Sequence, residues 1–185
     1  MKSDSAFVPV EIGCGRVAPV RRCRSEFVGV VQEDGVYRLV AVRPAAAGTH
    51  LFRIEGRKIP RPTRYSIQVG ASLHIDPTGG ATNDEIYERY FWRFMNHGCD
   101  PNMWVLGRDV IASRDIAPGE EVTFNYNTTE YDLAESFACR CGSPRCRGTI
   151  GGFKHLPTDE RERLRASLAP HLLRHLRPAV AAGRK

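Results

Sequence analysis

The sequence predicts a mainly β fold of small sheets with short helices, closed by a zinc-stapled C-terminal loop. Three observations carry that expectation. Short runs rich in β-branched and aromatic residues recur between Gly and Pro turns over much of the chain. One helix is clearly signalled, by a capping box at Thr82-Asn83-Asp84-Glu85. Three of the six cysteines fall within eight residues, Cys139-Arg140-Cys141-Gly142-Ser143-Pro144-Arg145-Cys146, and this C-x-C-x4-C spacing fits metal binding better than free thiols.

Taken in order, residues 1–19 hold Pro9, Gly13, Gly15 and Pro19 and read as an N-terminal arm or short edge element. Strands are expected over 27–31, 37–42, 50–54 and 64–69, separated by turn chemistry at Asp34-Gly35, Ala47-Gly48 and residues 60–62. From Thr82 the helix carries Ile86, Tyr90 and Phe94 at every fourth place, flanked by Tyr87, Phe91 and Met95. That stripe is read as core packing. The helix should deliver Asn96 and His97 just past its end, where Gly98 can stop it. Short strands follow at 103–106, 109–112 and 121–124, the last launched by Pro118-Gly119. Beyond Gly151-Gly152 the tail starts helical, with Thr158 as N-cap and Leu164, Leu168 and Leu172 on one stripe that Pro170 interrupts or bends.

A chain of 185 residues, 42% hydrophobic and 26% charged, supports one domain with a real core and short appendages. No apolar run approaches the length that spans a bilayer, and no charged start precedes an apolar stretch at the N-terminus. The setting this predicts is intracellular and reducing, without membrane attachment, where clustered cysteines serve metals rather than disulfides. Of the net charge of +6, residues 157–185 carry +4, from seven Arg/Lys against three Asp/Glu. A solvated basic helix accounts for that excess, and nucleic-acid contact through the tail is the alternative.

Three thiolates leave one place open in the tetrahedral shell zinc prefers. Cys99, about forty residues upstream, is the best-placed fourth ligand, and Cys14 and Cys23 are left outside the set. Arg140, Arg145 and Arg147 are interleaved where they could offset the negative charge of the thiolates.

Arg93-Phe94-Met95-Asn96-His97-Gly98-Cys99-Asp100-Pro101-Asn102, then Gly119-Glu120-Glu121-Val122-Thr123-Phe124-Asn125-Tyr126, then the cysteine loop with its following Arg147-Gly148, together resemble SET-domain protein-lysine methyltransferases with a post-SET tail. The resemblance covers roughly residues 20–152. It implies a β-clip, SET-like fold over 20–127 with a knot-like C-terminal segment, a post-SET zinc segment over 128–152 and a basic, partly helical tail over 153–185. It also implies methyl transfer from S-adenosylmethionine to a lysine of a protein substrate, with a histone or other basic protein as candidate. The implied catalytic residue is Tyr126, with Tyr65 as a second tyrosine of the lysine channel. Cofactor contacts fall to Asn96, His97, Arg93, Phe137 and Tyr37. The structural zinc falls to Cys99, Cys139, Cys141 and Cys146. A monomer is implied, cytoplasmic, or nuclear in a eukaryote.

The residue types suit the task. Free lysine has a pKa near 10.4, so on the order of one in a few thousand is a neutral nucleophile at pH 7. An aromatic channel disfavours the ammonium by desolvation, and tyrosine hydroxyls orient the amine without competing with it. The chain departs from the family at Val36-Tyr37-Arg38, which stands where a Gly-x-Gly is usual, because Gly13-Cys14-Gly15 lies some twenty residues too early. It departs again at Asn125, where the family has Asp, and in the short stretch between Ile54 and Tyr65, where a specificity insert is usual. These departures keep a second reading open: a catalytically silent SET-like zinc module that binds protein or nucleic acid.

Overall fold

The computed structural model describes residues 6–13 and 15–176, so Cys14 and the end of the basic tail lie outside the described residues. Its first sheet is a four-stranded antiparallel meander of β1 (Phe7–Ile12), β2 (Arg16–Arg22), β3 (Val28–Glu33) and β4 (Val36–Ala41). The expected arm is therefore a hairpin, and the boundary expected after residue 19 falls inside β2. Alternation explains it: Val10, Ile12, Ala18 and Val20 turn inward onto Val31 and Val40, while their neighbours face out. Pro9 and Pro19, which read as breakers, sit opposite each other, a pairing position where neither amide is needed.

Two small antiparallel sheets follow. β5 (His50–Arg53) joins one with β10 (Met103–Leu106) and β11 (Asp109–Ala112), in the order β10-β11-β5. β6 (Arg57–Ile59), β7 (Ile67–Gly70) and β8 (Leu73–Asp76) make the other, with β8 central. The run expected over 64–69 is a strand only from Ile67, because Thr63 and Ser66 close a side-chain turn ahead of it.

The capping box forms as read. Thr82 Oγ1 accepts from Glu85 N at 3.2 Å, and Glu85 Oε2 accepts from Thr82 N at 2.9 Å. The helix it opens, α1 (Asn83–Glu88), is much shorter than expected. After it the chain tightens into a 3₁₀ turn at Phe91–Phe94, which drives Trp92 fully out of water and lets its Nε1 donate to Glu55 O at 2.9 Å. Phe91 packs edge-on against Phe52 at 4.9 Å.

Asn96 and His97 then form β9 (Asn96–His97), pairing in parallel with β12 (Thr123–Phe124). The strand expected from residue 121 is pared to these two residues, with Glu121 making only an isolated bridge to Val40. Gly119 lies at φ +81, and a Cβ there would collide with Glu11 O, so only glycine lets this turn close against β1.

The cysteine loop is framed by β13 (Phe137–Ala138) and β14 (Thr149–Ile150). Among the described residues the tail is two short helices joined by a tight turn rather than one long solvated helix. Pro157 takes the cap position, so Thr158 opens α2 (Thr158–Arg163) rather than capping it, and Pro170 starts α3 (Pro170–Leu173) rather than bending a longer helix. Leu168 and Leu172 bury with Phe153 and Leu156 in a separate cluster, with Leu164 against it. Ala169 N donates to Thr128 O at 2.8 Å and the His171 Nε2 lies 2.8 Å from Thr129 O, which ties this module to the segment after β12. No helix among the described residues is long and apolar enough to cross a membrane.

Leu172 is 0% exposed, so Leu172→Ala should cost about 2–5 kcal/mol. Urea unfolding followed by circular dichroism should show that loss in one transition shared with the whole chain. A separate early transition, or no loss, would show the tail to be an independent appendage.

Candidate functional site

Two sequence segments far apart in the chain are laced together by polar side chains as well as by the β9–β12 pairing. Asn102 is buried, donates through Nδ2 to Glu121 O at 2.8 Å and Glu120 Oε1 at 3.0 Å, and accepts from Thr123 N at 2.9 Å. Asn96 Nδ2 donates to Glu121 Oε1 at 2.8 Å and to Tyr37 O at 3.0 Å, bringing β4 into the same arrangement. Gly98 N donates to Phe124 O at 3.0 Å, and a Cβ on Gly98 would press into Thr123 Oγ1.

Just past β12 the chain turns through a 3₁₀ segment, Tyr126–Thr128, capped by Asn125, whose side chain accepts from Asn127 N. Aspartate or asparagine can make that cap, so the change at Asn125 leaves the turn intact. Tyr126 N donates to His97 Nδ1 at 3.2 Å, and Tyr126 Oη donates to Met95 O at 2.7 Å. Burial above all, with the charges of Glu130 and Glu121, raises the Tyr126 hydroxyl well above its ordinary value, so it stays protonated.

Because Nδ1 of His97 accepts, its proton sits on Nε2, which lies 3.1 Å from Cys99 Sγ and donates to it. Burial pushes His97 down to about 4, so the ring is neutral at pH 7. Cys99, Cys139, Cys141 and Cys146 place all four sulfurs within 4.8 Å of one another, with Cys99 and Cys139 at 3.9 Å. Tetrahedral zinc with bonds of about 2.3 Å holds sulfurs about 3.8 Å apart, so the donor set fits such an ion. Burial and the neighbouring sulfurs push Cys139 up to about 12, whereas Cys141 is brought down to about 7, its burial outweighed by main-chain and thiol hydrogen bonds. The Arg147 side chain pairs with Glu160, and Arg140 and Arg145 are exposed, Arg140 beside the cavity described below. Cys23 stands apart, donating to Val28 O at 3.1 Å, and burial pushes it up to about 12.

A cavity of about 650 Å³ opens between the two laced segments and the cysteine loop. Its wall includes Tyr65, Arg93, Asn96, His97, Tyr126, Phe137, Cys139 and Cys141. Most of the residues singled out from sequence thus meet on one surface. Tyr37 does not: its hydroxyl takes the Tyr87 hydroxyl at 3.0 Å and its ring packs on Phe94 at 4.9 Å, so β4 serves the site through its main chain. Tyr65 is 46% exposed, with the Arg93 guanidinium over its ring at 3.9 Å. The buried Arg93 Nε has no partner among the described residues.

Sequence reasoning missed Glu121, which braces Asn96, and Glu130, a buried carboxylate in the same wall. Glu121 lies inside the Gly119–Tyr126 run but was given no role there, whereas Glu130 sits in an ordinary Thr128-Thr129-Glu130-Tyr131 run that marks nothing. Burial pushes Glu130 up to about 7, against the opposing pull of Gln68 N–H and the Thr129 hydroxyl.

A family profile described as SET domain matches residues 37–127. Histone-lysine N-methyltransferase ash1 of Drosophila melanogaster is 35% identical over 137 residues, 63% of this chain and 6% of that protein. The H3 lysine-36 specific histone-lysine N-methyltransferase of Yarrowia lipolytica is 36% identical over 131 residues, 63% of this chain and 17% of that protein. Its counterpart in Cryptococcus neoformans reaches 47% over 68 residues, 32% of this chain and 8% of that protein. The chain thus spans 17% or less of the length of these relatives. The crystal structure of KRYPTONITE in complex with mCHG DNA and SAH shares the fold over 70% of this chain and 30% of that one, at TM-score 0.52 and 23% identity.

Glu130 makes stability depend on pH. Its folded value of about 7 lies above the ordinary 4.5, so the neutral acid favours the fold. That contribution is full below about 4.5 and is lost as pH rises through about 7, a change of about 3 kcal/mol. Urea unfolding across that window should show wild type losing this much relative to Glu130→Gln. Parallel curves for the two proteins would mean a carboxyl that titrates as in water.

Proposed function

Residues 37–127 form a SET domain, and on that premise we propose that the chain transfers methyl groups from S-adenosylmethionine to lysine side chains of a protein substrate. The observation that carries the reading is the β9–β12 pairing, which sets Asn96, His97 and Tyr126 around one cavity closed by the cysteine loop. A cavity of this size suits a ligand of cofactor dimensions. Its lining suits this cofactor too, since the Arg93 guanidinium in the wall can take a carboxylate and the aromatic residues can take a sulfonium. Bound there, S-adenosylmethionine supplies a methyl group already activated on a sulfonium.

The chain's own residues then have positional work. Arg93, Asn96, His97 and Phe137 hold the cofactor, with Tyr37 contributing through its carbonyl, which fixes Asn96. Tyr126 is the proposed catalytic residue. Its hydroxyl donates to Met95 O, leaving oxygen lone pairs to orient the amine. Tyr65 forms the outer wall of the lysine channel, and burial excludes water from the transfer.

Cys99, Cys139, Cys141 and Cys146 hold one structural zinc, and residues 128–152 act as the post-SET segment. The histone-lysine methyltransferases among the relatives make a histone or similarly basic protein the first substrate to try. They also favour an intracellular, in eukaryotes nuclear, setting.

Tyr126→Phe removes one hydroxyl and little volume. It should lower methyl transfer about 30- to 1,000-fold, corresponding to about 2–4 kcal/mol, while cofactor binding persists. A radiolabelled methyl assay on core histones and mixed protein substrates checks this. Equal rates would remove Tyr126 from the mechanism, and no transfer by wild type to any substrate would contradict the enzyme reading.

A further inference from the structure

A buried carboxylate stands in the cavity wall without a cation. Glu130 is 3% exposed and shares that wall with Tyr65, Ile67, Trp92 and Tyr126. Its main chain is fixed on both sides, Glu130 N donating to Tyr126 O at 2.9 Å and Glu130 O accepting from Phe153 N at 2.8 Å. Oε1 accepts from Gln68 N at 2.7 Å and from the Thr129 hydroxyl at 3.3 Å. Among the described residues no Lys, Arg or His pairs with the carboxylate, and no donor meets Oε2. That second oxygen is left without a donor, in a side chain that lines the cavity.

A purely structural pin needs no charge here. Glutamine has the same shape and offers Gln68 N the same carbonyl acceptor. A carboxylate taken from water without a cation is unfavourable, and such groups concentrate where a charged ligand completes them. Tyr126 lines the same cavity and is tied to Glu130 through the main chain, which puts that missing cation on the side where the amine is to be oriented.

We propose that Glu130 receives the ammonium of the substrate lysine through Oε2 and takes the proton the amine must lose before methyl transfer. This rests on the methyltransferase reading above. The lysine enters as an ammonium paired with the carboxylate. One N–H bond breaks and an O–H bond forms on Oε2, leaving a neutral amine beside a neutral acid. The amine lone pair then forms the N–C bond while the C–S bond of the sulfonium breaks, its electron pair staying on sulfur. The products are a methylated ammonium and S-adenosylhomocysteine, and the proton on Glu130 departs to water. Burial makes Glu130 a stronger base than an exposed glutamate, which narrows the gap to the ammonium.

The test uses n-butylammonium, a lysine side chain without its backbone. It is titrated into the full chain with S-adenosylhomocysteine present and followed through the carbon-13 carboxyl signal of Glu130. The signal should shift with saturation at one site, and n-butanol, the uncharged analogue, should leave it in place. Glu130→Gln should bind the ammonium roughly 10- to 100-fold more weakly. A Glu130 signal that the ammonium does not move, or equal affinity in both proteins, overturns the proposal. The wild-type signal decides alone if the variant does not fold. The probe needs no turnover, so the two readings separate. Saturable binding at Glu130 in a protein that methylates nothing supports the ammonium site while contradicting the reaction. Methylation undiminished in kcat/KM in Glu130→Gln overturns the proposal while supporting the reaction.

Discussion

Everything at the site depends on two residue pairs, Asn96 with Thr123 and His97 with Phe124. This short parallel contact could not stand on its own hydrogen bonds, each worth about 1 kcal/mol net. It is secured from within by Asn102, which satisfies its amide on the opposite segment, and by Asn96, which spans β4 and Glu121. Gly98 permits the approach, because any side chain there would meet Thr123. Once the pair forms, Tyr126 emerges directly beyond it with its amide on His97 and its hydroxyl on Met95.

The same contact couples the cavity to the cysteine cluster. His97 uses one ring nitrogen to hold the Tyr126 main chain and the other to donate to Cys99. Cys99 in turn sits among three cysteines of a loop whose Phe137 stacks edge-on against both His97 and Tyr126. A metal drawing the four sulfurs together would therefore order Phe137 and close the cavity in one event. Arg147 carries the order further, pairing with Glu160 of the C-terminal module, and that module braces Thr128 and Thr129.

Local chemistry was legible in the sequence where local chemistry decides. The Thr82 capping box, the strands at 103–106 and 109–112, and the cysteine set all appear where residue types and spacing place them. Tertiary demands overrode the rest. The aromatic stripe from Ile86 to Phe94 implied one long helix, but the burial of Trp92 against Glu55 O needs a tighter turn after Tyr90. Pro9 and Pro19 hid the first hairpin, because sequence does not say that two prolines face each other. Tyr37 was singled out for its place in a motif, yet its ring serves the core. Glu130 was invisible for the opposite reason: its burial and its shortest hydrogen bond, from Gln68 N 62 residues away, are set by the tertiary fold rather than by its neighbours in the chain.

The central claim is that the laced segments and the cysteine loop form one cofactor site whose order depends on metal. The direct measurement is calorimetric titration of S-adenosylhomocysteine into the zinc-loaded chain and into the same chain after zinc removal verified by elemental analysis. The account predicts one binding event in the loaded protein and affinity at least roughly tenfold weaker after removal, with loss of order around Phe137 in the same samples. Unchanged affinity in the stripped protein, or no binding in the loaded one, would contradict it.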